Sequence, residues 1–179
     1  MMDQTLRIEG ERVYLRPITE EDTDMVLEWR NSKQVVENFI YRKPITRDDH
    51  MNWLKTRVYT GEVIQFIICD KKTGRGVGSS YMQHIDMQNE TAEFGIFMGN
   101  TEGLGKGVGT EANALTVAYA FQELGLHKLY SRVLSYNVAS RKMLERVGYS
   151  EEGYFKDELV IEGKRTDVVF YGIINSADK

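Results

Sequence analysis

Four glycines fall within the seven positions from 103 to 109, and the last three belong to the run Gly105-Lys106-Gly107-Val108-Gly109-Thr110. The run follows a segment with a strand pattern and precedes one with a helical pattern. Glycine lets a ligand approach the backbone closely, and the first turn of a helix carries unpaired N–H groups at the positive end of the helix dipole. This arrangement predicts a site for an anion such as a diphosphate.

The glycine run differs from the two best known phosphate loops. A Walker loop requires the spacing Gly-x4-Gly-Lys-Ser/Thr, and a dinucleotide fingerprint requires Gly-x-Gly-x2-Gly in a parallel βαβ unit. A glycine-rich turn can also be a flexible connection with no ligand. Its place after a series of strands and at the start of a helix favours the anion-binding interpretation.

Hydrophobic periodicity predicts the elements that must position this loop. Thr19 with Asp22, and Thr46 with Asp49, have the spacing of a capping box that opens a helix. Strands are predicted over 12–18, 63–70, 76–86, 91–98, 127–134 and twice within 154–174, and helices after Thr19, over 47–59, from the glycine run to Gly125, and over 138–147. The order βααβββαβαββ predicts one α/β (α+β) domain over residues 1–179, with its core at about 12–174.

The segment from Leu104 to Gly109 resembles the coenzyme A pyrophosphate motif Gln/Arg-x-x-Gly-x-Gly/Ala of the GNAT superfamily of N-acetyltransferases. Both motif glycines are present, and Leu104 replaces the usual Gln or Arg. The segment from Asn137 to Tyr149 is similar to the Asn-x-x-Ala/Ser…Gly-Phe/Tyr segment of that superfamily. The resemblance implies acetyl-CoA as the acyl donor. The implied contacts are Phe97, Met98, Leu104, Gly105, Lys106, Gly107, Val108, Gly109, Thr110, Asn137 and Ser140.

Three further segments are similar to the ribosomal-protein and spermidine acetyltransferase branch: 92–96, 126–130, and 152–153 followed by 167–168. The resemblance implies a strongly twisted, mostly antiparallel mixed sheet of about seven strands, with four helices on both faces. In such a fold, strands 91–98 and 127–134 run parallel and splay apart, and the pantetheine of acetyl-CoA enters the gap.

Acetyl transfer to an amine requires an unprotonated amine, a stabilised oxyanion and a proton for the departing thiolate. The resemblance implies Glu93 as the base, directly or through a water, with a salt-bridged strand glutamate as the alternative. Family members often supply the acid as a Tyr seven residues after the Asn, but Leu144 occupies that position. Tyr136 is the nearby candidate, with a packing role as its alternative, and water is another proton source. A main-chain N–H within 94–98 is expected to bind the oxyanion.

Trp29, Arg30 and Asn31 are predicted to contact the acceptor. Residues 27–31 together with His50-x-x-Trp53-Leu54 are similar to acetyltransferases that modify the 4-amino group of a UDP-linked amino sugar. An anionic acceptor would suit the basic residues of this region, which are Arg30, Arg42, Lys43 and Arg47. Core packing is the alternative for the two tryptophans.

Three other functions stay open at this point. A polyamine acceptor would require acidic residues around the cleft, namely Glu20, Glu21, Asp22, Asp24, Glu151 and Glu152. A peptide α-amine is another acceptor, since it is partly unprotonated near neutral pH. A catalytically silent CoA-binding or partner-docking module would release thiol only at the background rate.

Composition sets limits on partners and location. The 179 residues carry a formal net charge of -4, which disfavours nucleic-acid binding, and the apolar runs are too short for a membrane-spanning helix. The single cysteine, Cys69, suits a reducing compartment, and the cytoplasm is the expected location. His50, His84 and His127 are too scattered in sequence to predict a metal site. A homodimer stays open.

Overall fold

The computed structural model describes residues 3–99 and 106–176. The bounds of its elements in chain order are β1 Ile8–Glu9, β2 Val13–Pro17, α1 Thr23–Arg30, α2 Lys33–Val36, α3 Arg47–Trp53, β3 Ile64–Asp70, β4 Gly76–Asp86, β5 Thr91–Met98, α4 Val108–Gln122, β6 Lys128–Leu134, α5 Val138–Val147, β7 Ser150–Ile161 and β8 Lys164–Ile174. A 3₁₀ turn, Glu20–Asp22, precedes α1, and a π turn, Leu54–Val58, continues α3.

The predicted mixed α/β fold is confirmed, and the structure adds two short elements to the predicted order. Strand β1 has two residues and exists because Ile8 and Glu9 pair with Leu15 and Tyr14. Helix α2 is a single turn that Ser32 caps by accepting a hydrogen bond from the Val35 N–H. Neither segment is long enough to produce a periodic sequence pattern. Tertiary contacts therefore determine both of them.

Both predicted capping boxes are present, but each helix differs from a plain α-helix. The box of Thr19 and Asp22 opens the 3₁₀ turn, and α1 begins only at Thr23. The box of Thr46 and Asp49 opens α3 directly. The second half of that predicted helix is a π turn, in which the Tyr59 N–H donates to the Leu54 carbonyl across 2.8 Å.

The eight strands form one sheet in the order β1-β2-β3-β4-β5-β6-β8-β7, antiparallel except between β5 and β6. Pairing between these two parallel strands covers only three positions, from Thr91–Lys128 to Glu93–Tyr130. Both strands continue, to Met98 and Leu134, without further pairing to each other. The predicted splayed pair is thus present. Beyond Glu93, backbone groups of β5 on that side are open to a ligand.

Apolar packing covers both faces of the sheet. On one face, α4 and α5 pack through Val108, Ala112 and Leu144 against strand residues such as Phe94 and Leu129. On the other face, Val26, Trp29 and Leu54 of the N-terminal helical region pack against Ile67 and Phe97. In the described ranges, no helix is long and apolar enough to cross a membrane.

Candidate active site

A cleft of about 980 Å³ occupies the gap between the splayed strands. Its lining includes most of the residues that the sequence predicted, although they lie far apart in the chain. These are Arg30, Glu93, Phe97, Met98, Gly107, Val108, Gly109, Thr110, Asn137 and Ser140. Leu104 and Gly105 lie outside the described residues. Lys106 is described and exposed, and it is not part of the lining.

The start of α4 forms one wall of the cleft. Gly107 is the N-cap and has φ +77°, a left-handed conformation that favours glycine. The first helical hydrogen bond runs from the Glu111 N–H to the Gly107 carbonyl, so the N–H groups of Val108, Gly109 and Thr110 have no partner within the helix. Three adjacent backbone donors at the positive end of a 15-residue helix fit a diphosphate.

Two contacts to the N-terminal strand hold this wall in place. The Glu111 carboxylate accepts hydrogen bonds from the backbone N–H of Arg12 at 2.9 Å and of Val13 at 3.4 Å. The Arg12 guanidinium donates to the Lys106 carbonyl. Side chains of the protein itself therefore connect the first turn of α4 to the N-terminal strand.

Asn137 and Ser140 lie at the start of α5, on the same side of the cleft. The Asn137 side-chain oxygen accepts a hydrogen bond from the Ser140 N–H at 3.1 Å and caps the helix. Asn137 thus has a structural role in addition to the cofactor contact predicted for it. Leu144, one turn further along, is fully buried in the core and does not reach the cleft.

Glu93 stands at the last paired position of β5, where the gap begins. It is 6% exposed and lines the cleft. One carboxylate oxygen accepts from Arg132 Nε at 2.9 Å, and the other accepts from His84 Nδ1 at 2.8 Å and from Arg132 and Gln83 at 3.3 Å each. Charge-assisted donors of this kind orient the carboxylate at the edge of the gap. No sequence pattern indicated these partners on β4 and β6.

Tyr136 does not lie in the cleft, which removes the geometric basis for its predicted catalytic role. Its ring is 49% exposed, and its hydroxyl donates to the Glu37 carbonyl at 2.9 Å and accepts from the Arg42 guanidinium. These contacts tie the turn before α5 to the segment after α2. The hydroxyl is therefore engaged in holding two loops together.

Of the three residues predicted to contact the acceptor, only Arg30 lines the cleft. Trp29 is 6% exposed and packs edge to face on Phe97, with 6.4 Å between ring centroids. Asn31 exchanges two hydrogen bonds of 2.8 Å with the Ile45 backbone and so connects α1 to the segment before α3. Core packing explains Trp29, and loop anchoring explains Asn31.

Arg30 presents a cation to the part of the cleft that we term the acceptor compartment, lined by Arg30, His50, Tyr81 and Glu93. Its guanidinium lies 3.9 Å from the centroid of the Phe39 ring. Within the described ranges, no carboxylate lies close enough to form an ion pair with it. Burial lowers the pKa of Arg30, which still lies far above neutral pH for a guanidinium. The compartment therefore holds a cation that a ligand can neutralise.

His50 is 3% exposed and lines the same compartment. The sequence pattern His50-x-x-Trp53-Leu54 includes His50 but assigned it no contact with a ligand. The Thr23 hydroxyl donates to the Glu20 carbonyl at 2.6 Å, so it must accept at 3.2 Å from His50 Nδ1. This fixes the proton on Nδ1. Burial lowers the pKa of His50, so the ring is neutral, and Nε2 is an acceptor with no partner in the described part of the chain.

The splayed strands, the backbone anion site and the buried polar compartment define a class of protein. They form a cleft with backbone donors that fit a diphosphate on one side and buried polar side chains on the other. The acetyltransferase (GNAT) domain family matches residues 12–150, and the chain belongs to that family. It is an acetyl-CoA-dependent amine N-acetyltransferase. Among the described residues, no group of three His, Cys, Asp or Glu could hold a metal ion.

Known proteins are similar over nearly the whole chain. The uncharacterized N-acetyltransferase p20 of Bacillus licheniformis is 26% identical over 92% of this chain and 93% of its own. The spermidine N(1)-acetyltransferase of Escherichia coli (strain K12) is 28% identical over 88% of this chain and 83% of its own. The structure of spermidine N-acetyltransferase from Vibrio cholerae with CoA and spermine has a TM-score of 0.86 at 23% identity, covering 93% of this chain and 98% of that one. The last likeness concerns the fold alone.

Proposed function

We propose that the acceptor is a small anionic amine, of which a nucleotide-linked amino sugar is the best fit. The observation that carries this proposal is the cation of Arg30 in the acceptor compartment, which has no carboxylate partner among the described residues. The Phe39 ring offsets part of the cost of keeping this guanidinium partly out of water, but it does not neutralise the charge. A diphosphate would neutralise it through charge-assisted hydrogen bonds.

Two neutral features of the cleft support the same class of acceptor. His50 Nε2 is a buried acceptor, which suits a hydroxyl or amide donor of a sugar or base better than a second anion. The Tyr41 ring lines the cleft and is 59% exposed, and an exposed aromatic ring is a common stacking surface for a nucleobase. A nucleotide sugar combines anionic, hydroxyl and aromatic groups in one molecule.

Each side of the cleft then has a separate task. The N–H groups of Val108, Gly109 and Thr110 would hold the diphosphate of acetyl-CoA, and the gap beyond Glu93 would admit its pantetheine. When bound, acetyl-CoA supplies the acyl thioester. Glu93 would accept the proton that the amine loses, directly or through a water, once a weak 3.3 Å contact such as that of Gln83 is released.

A polyamine acceptor is the second candidate, favoured by the relatives named spermidine acetyltransferases. The charges of the cleft argue against it. None of the six carboxylates that the sequence offered for a polycation lines the cleft. Four of these form ion pairs elsewhere: Asp22 with Arg16, Asp24 with Arg47, Glu151 with Arg141 and Glu152 with Lys128.

The test is a panel of acceptors with acetyl-CoA, read as amine-dependent release of CoA thiol. The panel contains a UDP-linked 4-amino sugar, spermidine and a peptide with a free α-amine. We expect the highest kcat/KM for the amino sugar, and competitive inhibition by UDP. Preference for spermidine or the peptide would overturn the acceptor assignment, and thiol release at the background rate for all amines would indicate the silent CoA-binding module.

A further inference from the structure

The leaving group of the reaction is a thiolate, and a positioned hydrogen-bond donor stabilises the charge that develops on its sulfur. The two positions that the sequence offered for a tyrosine donor, 136 and 144, do not supply one. The position seven residues after Asn137 is Leu144, which is fully buried in the core. The Tyr136 hydroxyl is bound to the Glu37 carbonyl and the Arg42 guanidinium. A protein donor to the sulfur would therefore have to come from another element.

Tyr81 on β4 is placed for this task by the sheet register. It pairs directly with Gly95 on β5, two residues beyond Glu93, where the strands have already separated. A β-carbon built on Gly95 would overlap Cζ and the hydroxyl oxygen of Tyr81. The missing side chain of Gly95 thus lets the phenol lie across β5, with its hydroxyl at the mouth of the gap through which an acyl thioester would arrive.

The surroundings of the hydroxyl suit a donor that keeps its proton. Tyr81 lines the cleft, and no hydrogen-bond partner of its hydroxyl occurs among the described residues. Burial raises the pKa of Tyr81 to about 12, with Arg30, Glu93 and Arg132 as the charges that act on it. The phenol is therefore protonated at neutral pH.

We infer that the Tyr81 hydroxyl donates a hydrogen bond to the sulfur of coenzyme A as the thiolate departs. The amine nitrogen forms a bond to the acyl carbon, the carbon–sulfur bond breaks, and its electron pair stays on sulfur. The amine proton goes to Glu93 or to water, the phenol keeps its own proton, and water later protonates the thiolate. The inference rests on the proposed acetyl transfer in this cleft and does not depend on the acceptor.

The first test measures the pKa of the bound CoA thiol and requires no turnover. CoA is bound to the wild type and to Tyr81→Phe, and the ultraviolet absorbance of the thiolate is followed against pH, with the ligand-free protein subtracted. Burial raises the pKa of Cys69, the single protein thiol, which keeps the background small. We expect the bound CoA thiol to titrate about one to two pH units higher in Tyr81→Phe. Equal titration in the two proteins would overturn the assignment.

The second test measures turnover with a matched control. We expect Tyr81→Phe to lower kcat about 100-fold with little change in the affinity for CoA measured by calorimetry. The control is Tyr119→Phe, whose ring packs on Phe66 in the core, and it should leave both the thiol titration and kcat near wild type. A fall in kcat with an unchanged thiol titration would place the hydroxyl on the carbonyl oxygen instead and overturn the sulfur contact. Background turnover of the wild type with every amine would refute the acetyl transfer itself.

Discussion

The two sides of the cleft present different kinds of chemical group. The side formed by the start of α4 offers backbone N–H groups of residues 108–110, presented by one contiguous turn. The acceptor compartment offers side chains of Arg30, His50, Tyr81 and Glu93, which come from α1, α3, β4 and β5. Backbone recognition tolerates many side chains, whereas side-chain recognition changes with each substitution. We therefore expect the donor side to be generic and the acceptor side to set specificity.

Glu93 lies where the two sides of the cleft meet, and we expect substitution there to change activity most. We expect Glu93→Gln to lower kcat by about 10²- to 10⁴-fold, because a carboxamide cannot take the amine proton. Acetyl-CoA affinity should be nearly unchanged, since the residue lies away from the α4 turn. Steady-state kinetics and calorimetry measure the two quantities.

The matched control for this change is Glu90→Gln. Glu90 is exposed in the turn between β4 and β5, and this variant should behave like wild type. Turnover of Glu93→Gln at the wild-type rate from about pH 6 to 9 would exclude Glu93 as the base.

On the donor side, Gly107→Glu should weaken acetyl-CoA binding about 100-fold. The introduced carboxylate would lie at the anion site, and a side chain at φ +77° also strains the turn by about 1–2 kcal/mol. Calorimetry with acetyl-CoA measures the effect.

Gly125→Glu separates charge from strain, because Gly125 has φ +68° with no atom near its absent side chain and lies at the far end of α4. We expect it to lose stability without losing acetyl-CoA affinity. Equal losses of affinity in both variants would mean that the α4 turn is not the anion site.

On the acceptor side, Arg30→Gln should raise KM for a UDP-linked amino sugar about 10- to 100-fold. This factor corresponds to the free energy of one charge-assisted hydrogen bond to phosphate. Acetyl-CoA affinity should stay at the wild-type level, which distinguishes the two sides directly. Arg57→Gln is the control, because Arg57 forms an exposed ion pair with Glu62. An unchanged KM in Arg30→Gln would remove the anionic acceptor from consideration.

The smallest expected effect concerns the stability of the acceptor side. Burial tends to raise the pKa of Asp22, but hydrogen bonds from Arg16 and Thr19 outweigh it and lower the pKa below its ordinary 3.8. A lowered folded pKa contributes stability that is complete above the ordinary value and is lost as pH falls through the folded value.

At neutral pH, Asp22→Asn should therefore lower the free energy of unfolding by on the order of 2 kcal/mol. Breaking a fully buried ion pair would cost more, because here the Arg16 side chain is 34% exposed and water screens its charge. Urea unfolding at several pH values measures the difference from wild type, which should shrink below about pH 4. A difference independent of pH would show that packing of the side chain, and not its charge, is responsible.

The elements predicted from sequence were those with long periodic patterns or strong end signals. Residues 138–147 form α5 with the bounds that Asn137 and Gly148 indicated. The short elements β1 and α2 escaped prediction because two or four residues do not establish a period. Trp29 and Asn31 show the limit for sites: their types suggested ligand contacts, but the face on which each side chain lies depends on packing.

The sequence by itself determined the donor side, because glycines followed by a helix create backbone donors through local geometry alone. It also determined the family, through motifs that span the chain. Only the tertiary structure decided which side chains meet in the acceptor compartment. The Tyr81 phenol lies across Gly95 because of strand register, and the proton of His50 lies on Nδ1 because of Thr23. Such contacts join residues distant in the chain, and no local pattern specifies them.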